Sequence, residues 1–196
     1  MSQPTKGFSR RAFLRGSGVA AAASSVTSTQ SASAAIVPVP IIAGETQVSL
    51  TVNGQKKTVT VEPRTTLLDT LRYQLNLTGA KPVSSDGSSG ASTVLVDGKP
   101  VMASTTLTVA VSGKSISTCE GLKDGDIPKA FVSNDAQQCG FCTPGFVVAV
   151  KAFLNQHPDA TEEQIRAGLN GNICRCGTYA NVLQAVIALV KGNQNG

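Results

Sequence analysis

Across residues 47–52 the chain alternates, with Val48, Leu50 and Val52 apolar and polar residues between them; Asn53-Gly54 comes next, and Val59 and Val61 resume the same alternation. Alternation interrupted by Asn-Gly predicts a β-hairpin, because both positions of its two-residue turn need a positive φ that Asn and Gly accept. The period then changes. Over residues 66–75, Leu67, Leu68, Leu71 and Leu75 fall at helical spacing and predict one amphipathic helix. A Gly/Ser-rich loop is expected over 79–92, and residues 93–96, the turn Asp97-Gly98 and residues 99–102 predict a second hairpin. Two hairpins with a helix between them imply a small α+β domain with a mixed sheet over 45–120.

After a junction at 121–125 the pattern becomes helical throughout. A short helix is expected over 127–136. Thr143 is expected to cap a helix that begins at Pro144 and carries the stripe Phe146, Val150 and Phe153, with Val147 and Leu154 beside it. Thr161-Glu162-Glu163-Gln164 reads as a capping box opening a helix through Ile165 and Leu169. Val182, Leu183, Val186, Ile187 and Val190 mark a last helix, closed by Lys191-Gly192. Four short helices over 126–196 predict a bundle.

Charge changes the picture at one end only. Of the 17 basic residues behind the net charge of +5, Lys6, Arg10, Arg11 and Arg15 open the chain, and no acidic residue precedes Glu45. The rest of the chain is nearly neutral, which argues against nucleic acid as a partner. The absence of Trp and an aromatic content of 4% also argue against a base-stacking surface. Ser9-Arg10-Arg11-Ala12-Phe13-Leu14, a weakly apolar run to Val26 and Ala32-Ser33-Ala34 have the layout of a twin-arginine export signal over 1–34, with a Pro-bearing linker over 35–44. The expected location is the periplasm. The apolar run falls short of the ~18 residues that span a bilayer, so no membrane anchor is expected.

All five cysteines lie from Cys119 onward, and four form two close pairs, Cys139-Gly140-Phe141-Cys142 and Cys174-Arg175-Cys176, each just before a helix. Packing of those helices can bring four thiolates around one centre. The spacing alone suits a 2Fe-2S cluster, a structural zinc or, in an exported chain, disulfides. A Cys-x-Cys disulfide is strained, so each pair is not expected to close on itself. Cys119 is expected to be a small buried apolar side chain, and His157, the sole histidine, an exposed residue at a helix end.

The residues around the cysteines carry a resemblance. Gln138-Cys139-Gly140-Phe141-Cys142-Thr143-Pro144-Gly145 and Gly171-Asn172-Ile173-Cys174-Arg175-Cys176-Gly177-Thr178-Tyr179 resemble the helical cluster domain of the iron-sulfur subunit of molybdenum hydroxylases, the xanthine dehydrogenase and aldehyde oxidoreductase family. Thr93-Val94-Leu95-Val96-Asp97-Gly98-Lys99-Pro100-Val101 and Glu120-Gly121-Leu122 extend it through the first half. The resemblance implies a ferredoxin-like β-grasp domain followed by a four-helix 2Fe-2S-binding bundle. It implies Cys139, Cys142, Cys174 and Cys176 as ligands of one 2Fe-2S cluster, with Gln138 and Cys176 approaching a molybdopterin in a large partner subunit.

The β-grasp of that family carries a second cluster on a Cys-x4-Cys-x2-Cys loop and a distant fourth Cys. At the matching positions this chain has Ser84, Ser89, Ser92 and Ser104, while Gly87 and Gly90 keep the frame of the loop. Hydroxyls are poor soft ligands, so this site is expected to be vacated. The chain has no nucleotide loop or nucleophile set, so no catalytic residue is assigned. The implied role is electron transfer for hydroxylation of an aldehyde or N-heterocycle, with FAD in another subunit or a cytochrome c as acceptor. The competing reading is a non-redox structural and export-carrier subunit in which the four paired cysteines hold a single zinc.

Overall fold

The computed structural model describes residues 43–194; the expected export signal and nearly all of the linker lie outside the described residues. The first hairpin pairs β1 (Thr46–Val52) with β2 (Gln55–Val61), in antiparallel register from Thr46 opposite Val61 to Val52 opposite Gln55. Asn53 and Gly54 take φ of 49° and 80°, as the two-residue turn requires. The second hairpin pairs β3 (Thr93–Val96) with β4 (Lys99–Met102) through Asp97 and Gly98, with φ of 49° and 79°. A strand that the alternation does not announce, β5 (Ser115–Ser117), completes a five-stranded sheet of order β2-β1-β5-β3-β4. β5 runs parallel to β1 and antiparallel to β3, so the sheet is mixed.

The helix expected over 66–75 is present but changes pitch. α1 (Leu67–Asp69) is capped by the Thr66 hydroxyl, which accepts from the Asp69 N–H at 3.1 Å, and continues as a π-helical turn, Thr70–Gln74. The Thr70 hydroxyl is buried against that of Thr108 at 2.8 Å. Leu67 and Leu71 are fully buried, while the widened turn leaves Leu75 only half-buried. Together with Leu50, Val94 and Ile116 they form the core on one face of the sheet, each contributing about 1.5–3 kcal/mol of burial.

Four helices complete the chain: α2 (Asp126–Ser133), α3 (Thr143–Gln156), α4 (Glu162–Gly168) and α5 (Tyr179–Gln194). The capping box at Thr161 forms, with both reciprocal hydrogen bonds to Gln164. Two expectations are corrected. Thr143 does not cap α3: Cys142 occupies the cap position, and the buried Thr143 hydroxyl sits inside the first turn without a hydrogen-bond partner. α5 also does not stop at Lys191-Gly192 but runs on to Gln194. The glycine is exposed and nothing packs against it, so it costs only the ~1 kcal/mol of a solvent-facing helical Gly and does not end the helix.

The helices pack on the sheet through β3, whose four residues are all buried. Val94 and Val96 face the sheet core, while Leu95 meets Val148 and Ala152 of α3, with Cys119 and Leu122 at the edge. Residues 43–194 belong to one compact unit. Cys119 is half-buried and its thiol is pushed up by burial and by the neighbouring Glu120 carboxylate. His157 is exposed at the end of α3.

Candidate metal centre

Two loops carry the four paired cysteines. Cys139–Cys142 lies between α2 and α3 and turns at Gly140, with φ of 76°; Cys174–Cys176 lies between α4 and α5 and turns at Gly177, with φ of 82°. Because α3 and α5 pack into one core, their preceding loops meet. All four side chains are free thiols. They neighbour one another across the loops and not within them: Cys139 and Cys176 shift each other's ionisation, as do Cys142 and Cys174. The first pair is exposed; in the second, Cys174 is buried and Cys142 half-buried.

The environments differ in charge preference. Burial pushes the Cys142 thiol up to about 12, helped by its hydrogen bond to Cys174 and the negative charge there. Burial also opposes charge on Cys174, yet donors from the Thr178 hydroxyl, the Thr178 and Gly177 N–H groups and the Cys142 thiol bring it down to about 7. Hydrogen bonding to the Phe141 N–H and to Cys176 lowers Cys139, and Cys176, which donates to Cys139, is raised. The donors around Cys174 thus favour its thiolate, and binding a metal must expel the remaining thiol protons.

Supporting groups hold the Cys174 loop. Its Sγ lies 3.2 Å from the Thr178 hydroxyl, and its N–H donates to the Tyr179 hydroxyl at 2.7 Å. The Tyr179 ring stands edge-on to Phe146 at 6.2 Å. Neither Thr178 nor Tyr179 is singled out by the sequence as a site residue, although a hydroxyl directly after a ligand loop at a helix start is a usable signal. Gln138 is exposed beside Cys139, and Phe141, Ile173 and Tyr179, in or next to the two cysteine loops, expose 51%, 53% and 47% of their surface.

Among the described residues, no three His, Cys, Asp or Glu side chains are grouped to hold a single metal ion. The thiols meet two by two. A single tetrahedral zinc wants four donors about one point, whereas a 2Fe-2S centre wants two per iron. The donor set therefore fits the binuclear centre better.

The serine positions show the same arrangement without sulfur. The Ser84 and Ser89 hydroxyls share a hydrogen bond of 2.7 Å, and those of Ser92 and Ser104 one of 3.0 Å. Ser84 also accepts from the Ser89 N–H at 3.0 Å, and Ser92 from the Ser104 N–H at 3.3 Å. Gly87 and Gly90 take φ of 78° and 69°, so the loop needs glycine at both turns. Asp86 accepts from the Ser88 N–H and hydroxyl, which lowers its carboxyl and tightens the tip.

The model of the 2Fe-2S binding domain family matches residues 118–187. Over 155 residues the chain is 40% identical to the nicotine 6-hydroxylase small subunit of Paenarthrobacter nicotinovorans, an alignment covering 76% of this chain and 94% of that one. The chain belongs to the iron-sulfur small subunits of the molybdenum hydroxylases. Within this family it is also 40% identical over 187 residues to the aldehyde oxidoreductase iron-sulfur-binding subunit PaoA of Escherichia coli (strain K12), covering 85% of this chain and 82% of that one. A chain of quinoline 2-oxidoreductase from Pseudomonas putida 86 superposes with a TM-score of 0.73 at 35% identity, covering 78% of this chain and 98% of that one. As a member of this small-subunit family the chain is a non-catalytic part of an oxidoreductase.

Proposed function

We propose that this small subunit accepts electrons from a molybdopterin site in a large partner subunit through one 2Fe-2S cluster held by Cys139, Cys142, Cys174 and Cys176. The observation that carries the reading is the meeting of two loops, each with two free thiols, at the starts of two helices packed in one core, so that the thiols neighbour one another across the loops. A 2Fe-2S cluster bound there supplies one-electron transfer. The chain's own residues do the rest: Thr178 and Tyr179 hold Cys174, and exposed Phe141 and Ile173, each beside a cysteine in sequence, offer apolar surface for a partner to cover. Exposed Gln138 and Cys176 are the residues that reach toward the partner's pterin. The partner would oxidise an aldehyde or N-heterocycle, a range supported by relatives named for nicotine and aldehyde. The onward acceptor is a FAD subunit or a cytochrome c.

The first half is read as a β-grasp whose own cluster site is vacated at Ser84, Ser89, Ser92 and Ser104. Isolated chain should then contain about two iron atoms, since one four-cysteine set remains. Iron analysis with EPR of the reduced protein measures this. Two distinct 2Fe-2S signals would overturn the vacated site, and a colourless protein with one zinc would replace electron transfer by a scaffold role.

The twin-arginine leader fits delivery to the periplasm of a folded, already metallated complex. Changing Arg10 and Arg11 together to Lys should retain the chain in the cytoplasm, as read by fractionation and immunoblotting; continued export of that variant would remove the proposal.

A further inference from the structure

The serine loop is bonded directly to the loop that carries Cys174. The Ile173 N–H donates to the Ser89 carbonyl at 3.0 Å, and the Asn172 side-chain amide donates to the Gly90 carbonyl at 3.0 Å. Asn172 is 6% exposed, and burying an amide is costly unless it is paired. The junction is closed on a third side by α3. A Cβ on Gly145 would run into the Gly90 carbonyl oxygen and lie 3.2 Å from the Asn172 amide nitrogen, while a Cβ on Gly90 would lie 2.7 Å from that nitrogen. Gly145 lies about one helical turn after Cys142, and Asn172 precedes Cys174 by two residues. One carbonyl–amide contact therefore registers both members of the inner thiol pair against the sheet half.

We infer that Asn172 is a positioning residue for the thiol centre, and that the serine loop is the platform against which it sets Cys142 and Cys174. This rests on the reading that the four cysteines hold a 2Fe-2S cluster. The platform needs its backbone shape and not a metal. The Ser84–Ser89 and Ser92–Ser104 hydroxyl pairs close it, and Gly90 lets the backbone approach. A vacated loop that still aims a neighbour's ligands has a reason to keep Gly87 and Gly90.

The test uses the full chain carrying its cluster. Asn172→Asp is isosteric and replaces the donor facing the Gly90 carbonyl by an acceptor; Asn172→Ala removes the donor without adding charge. Both should stay folded and either lose iron or shift the g-values of the reduced cluster and its reduction potential. Asn53→Asp is the control. Asn53 makes an equivalent bridge, donating to the Thr118 hydroxyl at 2.9 Å and accepting from the Thr118 N–H at 2.9 Å, but does not touch the thiol loops. It should lower the melting temperature and leave the g-values unchanged.

Wild-type g-values and potential in both Asn172 variants would overturn the assignment. So would an equal shift in Asn53→Asp, or loss of the folded circular-dichroism spectrum in both Asn172 variants, which would make the residue merely structural. Loss of iron from a variant that stays folded supports the assignment. A wild-type chain without a 2Fe-2S signal would instead refute the underlying reading, whatever Asn172 does.

Discussion

Cys174→Ser is expected to abolish cluster binding and loosen the helical half. The thiol is buried within the helical core, is brought to about 7 by its donors and lies 3.2 Å from the Thr178 hydroxyl. A serine hydroxyl fits that space but deprotonates far less readily and is a weak ligand for a soft metal centre. Metal binding that ties the two loops together also contributes to folding, so its loss should lower the melting temperature of the holo-chain. Cys139→Ser should remove the cluster as well. Its side chain is exposed, however, so the apo-form of that variant should melt close to the wild-type apo-form. Visible absorption and thermal unfolding of both variants, with and without iron, measure this. An unchanged visible spectrum in either variant would exclude that cysteine as a ligand.

Changing Ser84, Ser89, Ser92 and Ser104 together to Cys should create a second 2Fe-2S cluster, doubling the iron to about four atoms per chain. The hydroxyls already meet two by two, at 2.7 and 3.0 Å, which is the pattern two irons require. Thiolates need more room than hydroxyls, and the loop must open slightly while its turns at Gly87 and Gly90 are kept. Three cysteines should not suffice, because the remaining hydroxyl is a weak ligand. Electron transfer falls steeply with distance, so the rebuilt cluster should speed turnover with a protein acceptor docking on the sheet half and change little with a small diffusible dye. Iron content and EPR after reconstitution decide the matter. If the quadruple variant binds no additional iron, the loop is not a vacated cluster site.

Local chemistry made the hairpins readable. Asn53-Gly54 and Asp97-Gly98 occupy positive φ at both turn positions, a demand that few other dipeptides meet. β5 was hidden because only Ile116 of its three residues is apolar and its place is decided by distant partners, Thr51–Val52 on one side and Leu95–Val96 on the other. The π turn after Asp69 was hidden for a related reason. Thr70 turns inward to a hydroxyl 38 residues away, which no local period reveals. At the candidate site, the two close cysteine pairs were legible as candidates, but which thiols neighbour each other across the loops was not, since loop spacing does not specify how two helices seat against each other. Asn172 stands within the motif that carries the resemblance, but nothing local announces its burial against Gly90.

Burial of β3 on both faces limits how this chain can be recombined. A chimaera joining its sheet to another helical half would have to reproduce the surface presented by Val148 and Ala152, or leave Leu95 facing water. It would also need small residues where Gly145 and Gly90 nearly touch. Insertions should be resisted along the seam from Leu95 to Asn172 and within the Ser84–Ser89 turn that backs it. In this subunit the described boundary between the halves is closely fitted, and grafting experiments should keep both sides from the same parent.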